Sequence, residues 1–393
     1  MSTPDVSIMA LATRDPALIR ACLDSIRATQ GDLDVEVIVV LGQPSEEVRD
    51  DVARTEGVRV IDSDVNTGTA AAWNLAFDLA RGPFVFGLHE DTELRPGCLQ
   101  RLRETAEREP RAGALGTRVL NPDGSLQHLG AVIWGTGDLT ALGEHNAPQL
   151  AAADSAFPVG VTAASAMFVR RSAWEAVGGF DERFFPFTYV DADFSIGLRA
   201  HGYDVVADPV AVTTHRRGAS QAEGGGALAT LRFRDWVYGR HRERLLAKWA
   251  DAVTDLPTRP EGVARMAATA EMVAEALPPR VDGARDGAPR ATRLLTGGED
   301  ADPPAEGPLA EGVRRRLMDA EHEVLAEFAA AQVAEREARE ADVASLWSAY
   351  EETQASAGAL GAELAEVRAR LERVEAGEPP RRSGLRRLLR RPR

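Results

Sequence analysis

The chain has 393 residues, with 46 lysine or arginine against 61 aspartate or glutamate and a formal net charge of −15. That balance argues against a surface that grips phosphate backbones, so no nucleic-acid partner is expected. A hydrophobic fraction of 44% excludes wholesale disorder. The two cysteines, Cys22 and Cys98, argue against a disulfide framework or a cysteine zinc cluster and fit a reducing compartment.

No apolar run approaches the ~20 residues of a membrane-spanning helix. The opening stretch MSTPDVSIMALATRDP carries no basic n-region, so no signal peptide is expected. Lys248 is the only lysine, which reads as a compositional bias toward arginine. Val6–Ala12 reads as a strand. Asp15-Pro16 then opens a helix, with aspartate as cap and proline in the first turn. Ile19, Cys22, Leu23 and Ile26 recur at helical spacing. Val35–Leu41 is a continuous apolar run, as expected of a strand buried on both faces. Val58–Ile61 reads as another strand, Thr69–Ala80 as a helix with Gly82 as its C-cap, and Phe84–Leu88 as a further buried strand. Asn121-Pro-Asp-Gly-Ser125 is a turn between two β-like stretches. The alternation predicts an α/β fold with a mainly parallel central sheet.

Beyond this domain, assigned to residues 1–226, residues 227–278 are helical in character. Residues 279–308 hold few large apolar side chains and read as a flexible linker. Residues 309–376 read as a long helix. From Leu346 to Val374 apolar positions alternate in steps of four and three, the spacing of a coiled coil. Its expected use is a homo-oligomer through 346–374, with packing back onto the same chain as the rival. The upstream positions Val313, Leu317 and Val324 fit that register poorly. In the tail, 377–393, arginines surround Leu385, Leu388 and Leu389; segment 381–393 suits an anionic membrane surface or is a solvated tail.

Ligands of open α/β sheets sit at the carboxyl ends of parallel strands, and two loops stand out there. Asp64-Val-Asn66-Thr-Gly68-Thr69 joins a strand to a helix whose first amides favour an anion. Gly87-Leu88-His89-Glu90-Asp91-Thr92 places an imidazole and two carboxylates where a buried strand emerges, a donor set for a divalent cation. Further on, Gly178–Phe185 and Tyr189-Val190-Asp191-Ala192-Asp193 set aromatic groups beside carboxylates, where a carboxylate can serve as general base. The bland alternative is that Asp193 or Asp191 only caps the helix near Phe194. A lone His215 after Val205–Val212 is more often structural than a ligand.

In order, these pieces resemble the family 2 glycosyltransferases of the GT-A fold, especially the rhamnosyltransferase-like branch. The resemblance covers about residues 4–250 and rests on Asn66, Gly68 and Asn74, on Leu88-His-Glu-Asp91-Thr92-Glu-Leu94-Arg-Pro96-Gly97, on Gly-Gly-Phe-Asp-Glu-Arg-Phe-Phe at 178–185, on Asp191-Ala-Asp193, and on His215 with Ser220. It implies an inverting transfer from a nucleoside diphosphate sugar to a hydroxyl of a glycan or lipid-linked acceptor in cell-surface polysaccharide synthesis. It implies a cytoplasmic enzyme, peripheral at the inner membrane face. Asp91 and His215 would hold Mg²⁺ or Mn²⁺ and Asp191 would be the base. Asn66, Gly68, Asn74, His89, Glu90 and Asp91 would form the donor side.

The chain also departs from the family pattern, at Thr13-Arg14 where Tyr-Asn is common and at Ala164 where a glycine is usual, among other places. Leu41-Gly-Gln-Pro-Ser45 carries no acid where the family usually reads the nucleobase, His89 replaces an aspartate or asparagine, and Val190 replaces a glutamate. These changes leave a second reading open: a catalytically degenerate binding or scaffold protein that oligomerises through its coiled coil.

Overall fold

A computed structural model describes residues 3–143, 150, 153–216, 230–259, 270–281, 289–297 and 305–375. Ser220 and the arginine tail 381–393 lie outside the described residues. The chain divides into two compact units, Met1–Ala326 and Glu327–Arg393.

The first unit is built on one large mixed sheet. Its leading strands are β1 (Val6–Ala12), β2 (Val35–Gly42), β3 (Val58–Ser63) and β4 (Phe84–His89). They pair in parallel in the order β4-β1-β2-β3, with Ile8 opposite Val37 and Val39 opposite Val60. Their uninterrupted apolar character follows from burial on two faces. Met9, Ile38, Val40 and Val85 join one hydrophobic cluster, whereas Ile8, Ala10, Val39, Leu41 and Phe86 join the other. Helices α1 (Pro16–Thr29) and α2 (Glu46–Ala53) cover the second cluster, and α3 (Gly68–Leu79) covers the first with Trp73 and Phe77. Asp15 caps α1 as expected, accepting from the amides of Ala17 (2.8 Å) and Leu18 (3.4 Å). Gly87 of β4 lies beneath Trp73: a Cβ there would meet the indole ring at 2.2 Å, so only glycine admits this packing.

Gly82 does not cap α3. That helix ends at Leu79 with Ala80 as its C-cap, and the Gly82 amide donates to Ser7 Oγ at 2.8 Å, where a side chain would strike β1.

The rest of the sheet is mixed. After β5 (Thr92–Leu94) and α4 (Cys98–Arg108) come β6 (Ala112–Leu120) and β7 (Leu126–His128), joined by the Asn121–Ser125 turn. A small hairpin, β8 (Ala131–Ile133) and β9 (Leu139–Ala141), and the short β10 (Phe157–Pro158) follow. β11 (Ala166–Arg170) runs antiparallel between β4 and β6, and α5 (Arg171–Val177) leads to a 3₁₀ turn at Glu182–Phe184. Then come α6 (Val190–Ala200) and β12 (Asp204–His215), the latter parallel to β6. This arrangement puts the carboxyl ends of β1 to β4, β6 and β12, and the start of β11, along one edge.

Within the stretch 227–278, the described residues include α7 (Leu231–Val253) and α8 (Ala270–Glu275). The linker expected at 279–308 is docked wherever it is described. Val281 N donates to Arg199 O at 3.1 Å, and Ala291 N to Val177 O at 3.1 Å. Glu182 accepts from the amides of Leu295 (2.6 Å) and Thr296 (3.1 Å). Composition weighs apolar area; this stretch is held instead by backbone amides and ion pairs such as Arg293–Asp78.

β13 (Gly307–Pro308) then adds a parallel strand to β3, and α9 (Glu311–Glu375) begins. Val313, Leu317 and Val324 are buried in the first unit, which explains their poor fit to the coiled-coil register. In the second unit the helix exposes Leu346 (71%), Trp347 (61%), Leu364 (62%) and Val367 (54%). No helix among the described residues is long and apolar enough to cross a membrane.

Candidate active site

The strand β4 delivers His89 to the sheet edge and turns at once into β5. β5 pairs antiparallel with the end of β12, setting His215 opposite Thr92, and Arg216 N donates to Asp91 O at 2.9 Å. The topology thus brings together three residues distant in sequence: one ligand atom each of His89, Asp91 and His215 lies within 4.8 Å of the others. Both Asp91 and His215 are buried, and His215 Nε2 is 3.2 Å from Asp91 Oδ1.

Gln127 of β7 determines how His215 presents itself. Its amide nitrogen has two acceptors, Asn121 Oδ1 at 2.8 Å and His215 O at 3.0 Å, so its oxygen is the group facing His215 Nδ1 at 2.7 Å. His215 therefore carries its proton on Nδ1 when neutral and turns the Nε2 lone pair toward a carboxylate oxygen. Two electron-rich atoms at that separation call for a proton or a cation between them. His89 points the same way. Its Nε2 is buried and makes no hydrogen bond among the described residues, and burial pushes its pKa down to about 4, keeping a neutral ligand-type imidazole. A carboxylate with two imidazoles, one oriented by an outer amide, is a donor set that fits a divalent cation of the first transition row, and Mg²⁺ less well.

Glu90 does not face this group. It is buried, and its carboxylate accepts from the amide (2.7 Å) and hydroxyl of Thr13, in the loop after β1. Burial, opposed by these bonds, raises its pKa to about 7. Its role is to hold the Thr13-Arg14 loop, which on the other side takes Ser45 N on Thr13 O (3.1 Å) and Ser45 Oγ on Arg14 O (3.1 Å). Ser45 also caps α2, so the segment lacking the family's acid is committed to local structure.

Asp191 lies in the first turn of α6. The chain enters that helix through Thr188 (φ 67°) and Tyr189 (φ 61°), left-handed conformations costly for such residues and pinned by neighbours. His241 Nδ1 bonds Thr188 O (3.2 Å), and Tyr189 OH donates to Gly137 O (3.0 Å). Asp191 Oδ2 accepts from Ala164 N at 3.3 Å, and the next residue of that loop, Ser165, offers its carbonyl to His89 N at 3.3 Å. One two-residue step of backbone therefore links the Asp191 carboxylate to the histidine–aspartate group. Burial raises the Asp191 pKa above the ordinary carboxylate value, against hydrogen bonds from Ala164 and Ala192.

Asp193 has a different task. It is buried against Lys248 Nζ (2.8 Å) and Trp249 Nε1 (2.7 Å), and Lys248 also meets Asp181 at 2.7 Å. The single lysine, read from composition as bias, is the cation that neutralises two buried carboxylates. Asp193 is not the cap of α6: the cap position is Tyr189, and the Asp193 carboxylate is taken up by Lys248 and Trp249.

In the loop expected to face the donor, Asn66 Oδ1 accepts from Gly68 N at 2.9 Å, and Gly68 (φ 62°) packs where a Cβ would meet Phe185 at 2.7 Å. Asn74 was expected to touch the donor. It is fully buried, and its amide is spent on Phe180 O (2.9 Å), Phe180 N (2.8 Å) and Glu182 Oε1 (2.9 Å). It ties α3 to the Gly178–Phe185 segment. Gln127 and Thr13 were missed in the sequence. The Asn121–Ser125 turn was the available signal for Gln127, since it folds Leu126–His128 back beside the strand that ends at Leu120.

The family sequence model described as Glycosyl transferase family 2 matches residues 7–146. The O-antigen biosynthesis protein RfbC of Myxococcus xanthus is 27% identical over 263 residues, 60% of this chain and 19% of that protein. The N-acetylglucosaminyl-diphospho-decaprenol L-rhamnosyltransferase of Mycobacterium tuberculosis is 32% identical over 192 residues, 43% of this chain and 62% of that protein. This chain thus spans less than two thirds of the length of these curated relatives. Among solved structures, GalNAc-T7 with UDP, GalNAc and Mn²⁺ superposes with a TM-score of 0.50 at 12% identity, covering 65% of this chain and 50% of that one, which is a likeness of fold. With the GT-A architecture and the ordered motifs in hand, residues 7–146 are similar to the glycosyl transferase family 2 domain, and 192 residues of the chain are similar to a rhamnosyltransferase.

Proposed function

We propose that the chain is a metal-dependent, inverting glycosyltransferase. It would move a sugar from a nucleoside diphosphate donor to a hydroxyl of a glycan or lipid-linked acceptor of cell-surface polysaccharide synthesis. The observation that carries this is the joining of His89, Asp91 and His215 to Asp191 through the Ala164-Ser165 backbone. Asp91, His215 and His89 would hold the cation, with His89 moved from the donor side into the ligand set. When bound, a divalent cation stabilises the negative charge that develops on the leaving diphosphate. Asp191 takes the proton of the acceptor hydroxyl as that oxygen bonds the anomeric carbon and the bond to the diphosphate oxygen breaks. One displacement with one base inverts the anomer, so no nucleophile of the protein enters the path. Its raised pKa suits it to hold that proton. The names of the rhamnosyltransferase and O-antigen relatives support the acceptor class, and the Mn²⁺ and UDP of GalNAc-T7 support the cation and donor class.

Incubation with Mn²⁺ and a panel of nucleotide sugars, with candidate acceptors, is expected to release a nucleoside diphosphate for one donor. Release from none of them would favour the second reading, a degenerate binding module, for which the acid-free segment before α2 speaks.

The exposed Leu346, Leu364 and Val367 at coiled-coil spacing support self-association through 346–374. Light scattering on the full chain is expected to give the mass of an oligomer, and the double change Leu346→Glu with Leu364→Glu to give 42.2 kDa. Equal masses would end the oligomer proposal.

A further inference from the structure

We infer that the first turns of α9 are a positioning element of the donor site, holding the Asp64–Thr69 loop in the shape that receives the nucleoside diphosphate; this rests on the glycosyltransferase reading proposed above and on the donor-side place the family resemblance implies for Asn66 and Gly68. The segment arrives from far along the chain and attaches to β3 at every level leading to the loop. Glu306 pairs with Arg59 at 2.7 Å. Gly307 and Pro308 lie beside Ile61 and Asp62, and Leu309 N donates to Asp62 O at 3.0 Å. At the loop, Arg314 grips Asp64 with two nitrogens, at 2.8 Å each. One residue pair further, Asn66 Nδ2 reaches Glu321 Oε1 at 3.4 Å.

The helix face is suited to this. Arg314 and Glu321 are seven residues apart, hence on one face, and Val313, Leu317 and Val324 beside them are buried in the domain. The apolar stripe anchors the helix, and the two polar side chains reach the loop. Asn66 is the pivot: its Oδ1 accepts from Gly68 N, shaping the turn into α3, while its Nδ2 faces Glu321. Both amide ends are thus constrained, one by the turn and one by α9. The Asp64–Arg314 pair is partly exposed, with side-chain accessibilities of 55% and 33%, so its contribution to global stability is small. Fixing a loop before the ligand arrives acts on affinity instead, because the ordering cost is removed from the binding step.

The test is Arg314→Glu, which sets two carboxylates against each other, with Arg314→Lys as the conservative variant. Calorimetry with Mn²⁺ and each of UDP, GDP and dTDP reads affinity, and steady-state kinetics with whichever nucleotide sugar the panel shows to be turned over read KM and kcat. Arg314→Glu is expected to weaken diphosphate binding and raise donor KM about three- to tenfold, as loss and reversal of a surface pair allow. Its kcat and thermal midpoint are expected to match wild type, and Arg314→Lys to recover most of the affinity. Unchanged binding in Arg314→Glu, or a Lys variant as weak as the Glu variant, would overturn the inference while leaving the transferase intact. A wild type that binds none of the three diphosphates would remove the donor site and this inference with it.

Discussion

Asp191→Asn is expected to bind metal and nucleoside diphosphate as wild type does, yet to transfer sugar about 10²- to 10⁴-fold more slowly, the usual worth of a general base. The substitution is isosteric; its one amide oxygen can accept from either Ala164 N or Ala192 N, so one of these two bonds is lost while the shape of the side chain is kept. What is lost is the capacity to take the acceptor's proton. The pH dependence follows from the direction of the Asp191 shift. The base works ionised, so activity falls as pH drops through its pKa. Because burial raises that pKa, the acidic limb of kcat/KM is expected above the ordinary aspartate value of about 3.9. A limb at or below that value, or equal rates in the two proteins, would exclude Asp191 as base. Asp193→Asn is the contrast. There the loss is of folding, since Lys248 keeps only Asp181, and breaking such a buried pair costs about 3–5 kcal/mol.

The second large effect concerns the cation. Removing divalent metal with a chelator, or replacing Asp91 by Asn, is expected to lower transfer by about 10²- to 10³-fold, the scale of losing one preorganised charge at the leaving group. Mn²⁺ binding, followed by calorimetry without any nucleotide, is expected to be lost in Asp91→Asn and in His215→Ala. Gln127→Leu leaves all three proposed ligands but frees the His215 ring, so about 10- to 100-fold weaker metal binding is expected, the range for partners behind the ligands. Full transfer in chelator would show that the histidine–aspartate group serves another end.

How much of this was legible in the sequence varies with the range of the interaction. The strands β1 to β4 and the cap of α1 are local facts: apolar runs must be buried, and Asp15-Pro16 satisfies amides only two and three residues away. The candidate site residues Asp91, Asp191 and His215 were legible as types in an order, through resemblance, and the structure sets Asp91 beside His215. Their meeting depends on β5 turning back to pair with β12, a long-range pairing that no local pattern announces. Asn74 and Asp193 are polar side chains inside apolar helices, which need partners, and the fold gives them Glu182 and Lys248. Lys248 was uninformative until the fold placed two carboxylates around it.

The C-terminal third shows the limit most sharply. Its helix and heptad spacing are periodic, and periodicity survives in one dimension. The docking of 289–297 and of Val313, Leu317 and Val324 depends instead on acceptors and apolar grooves assembled by residues more than a hundred positions earlier. Chain chemistry alone decided which groups are available: apolar strands, a carboxylate–imidazole loop, a proton acceptor and a heptad helix. Folding decided which of them meet and which spend their polarity on one another, because hydrogen bonds and desolvation depend on distance in space and not along the backbone.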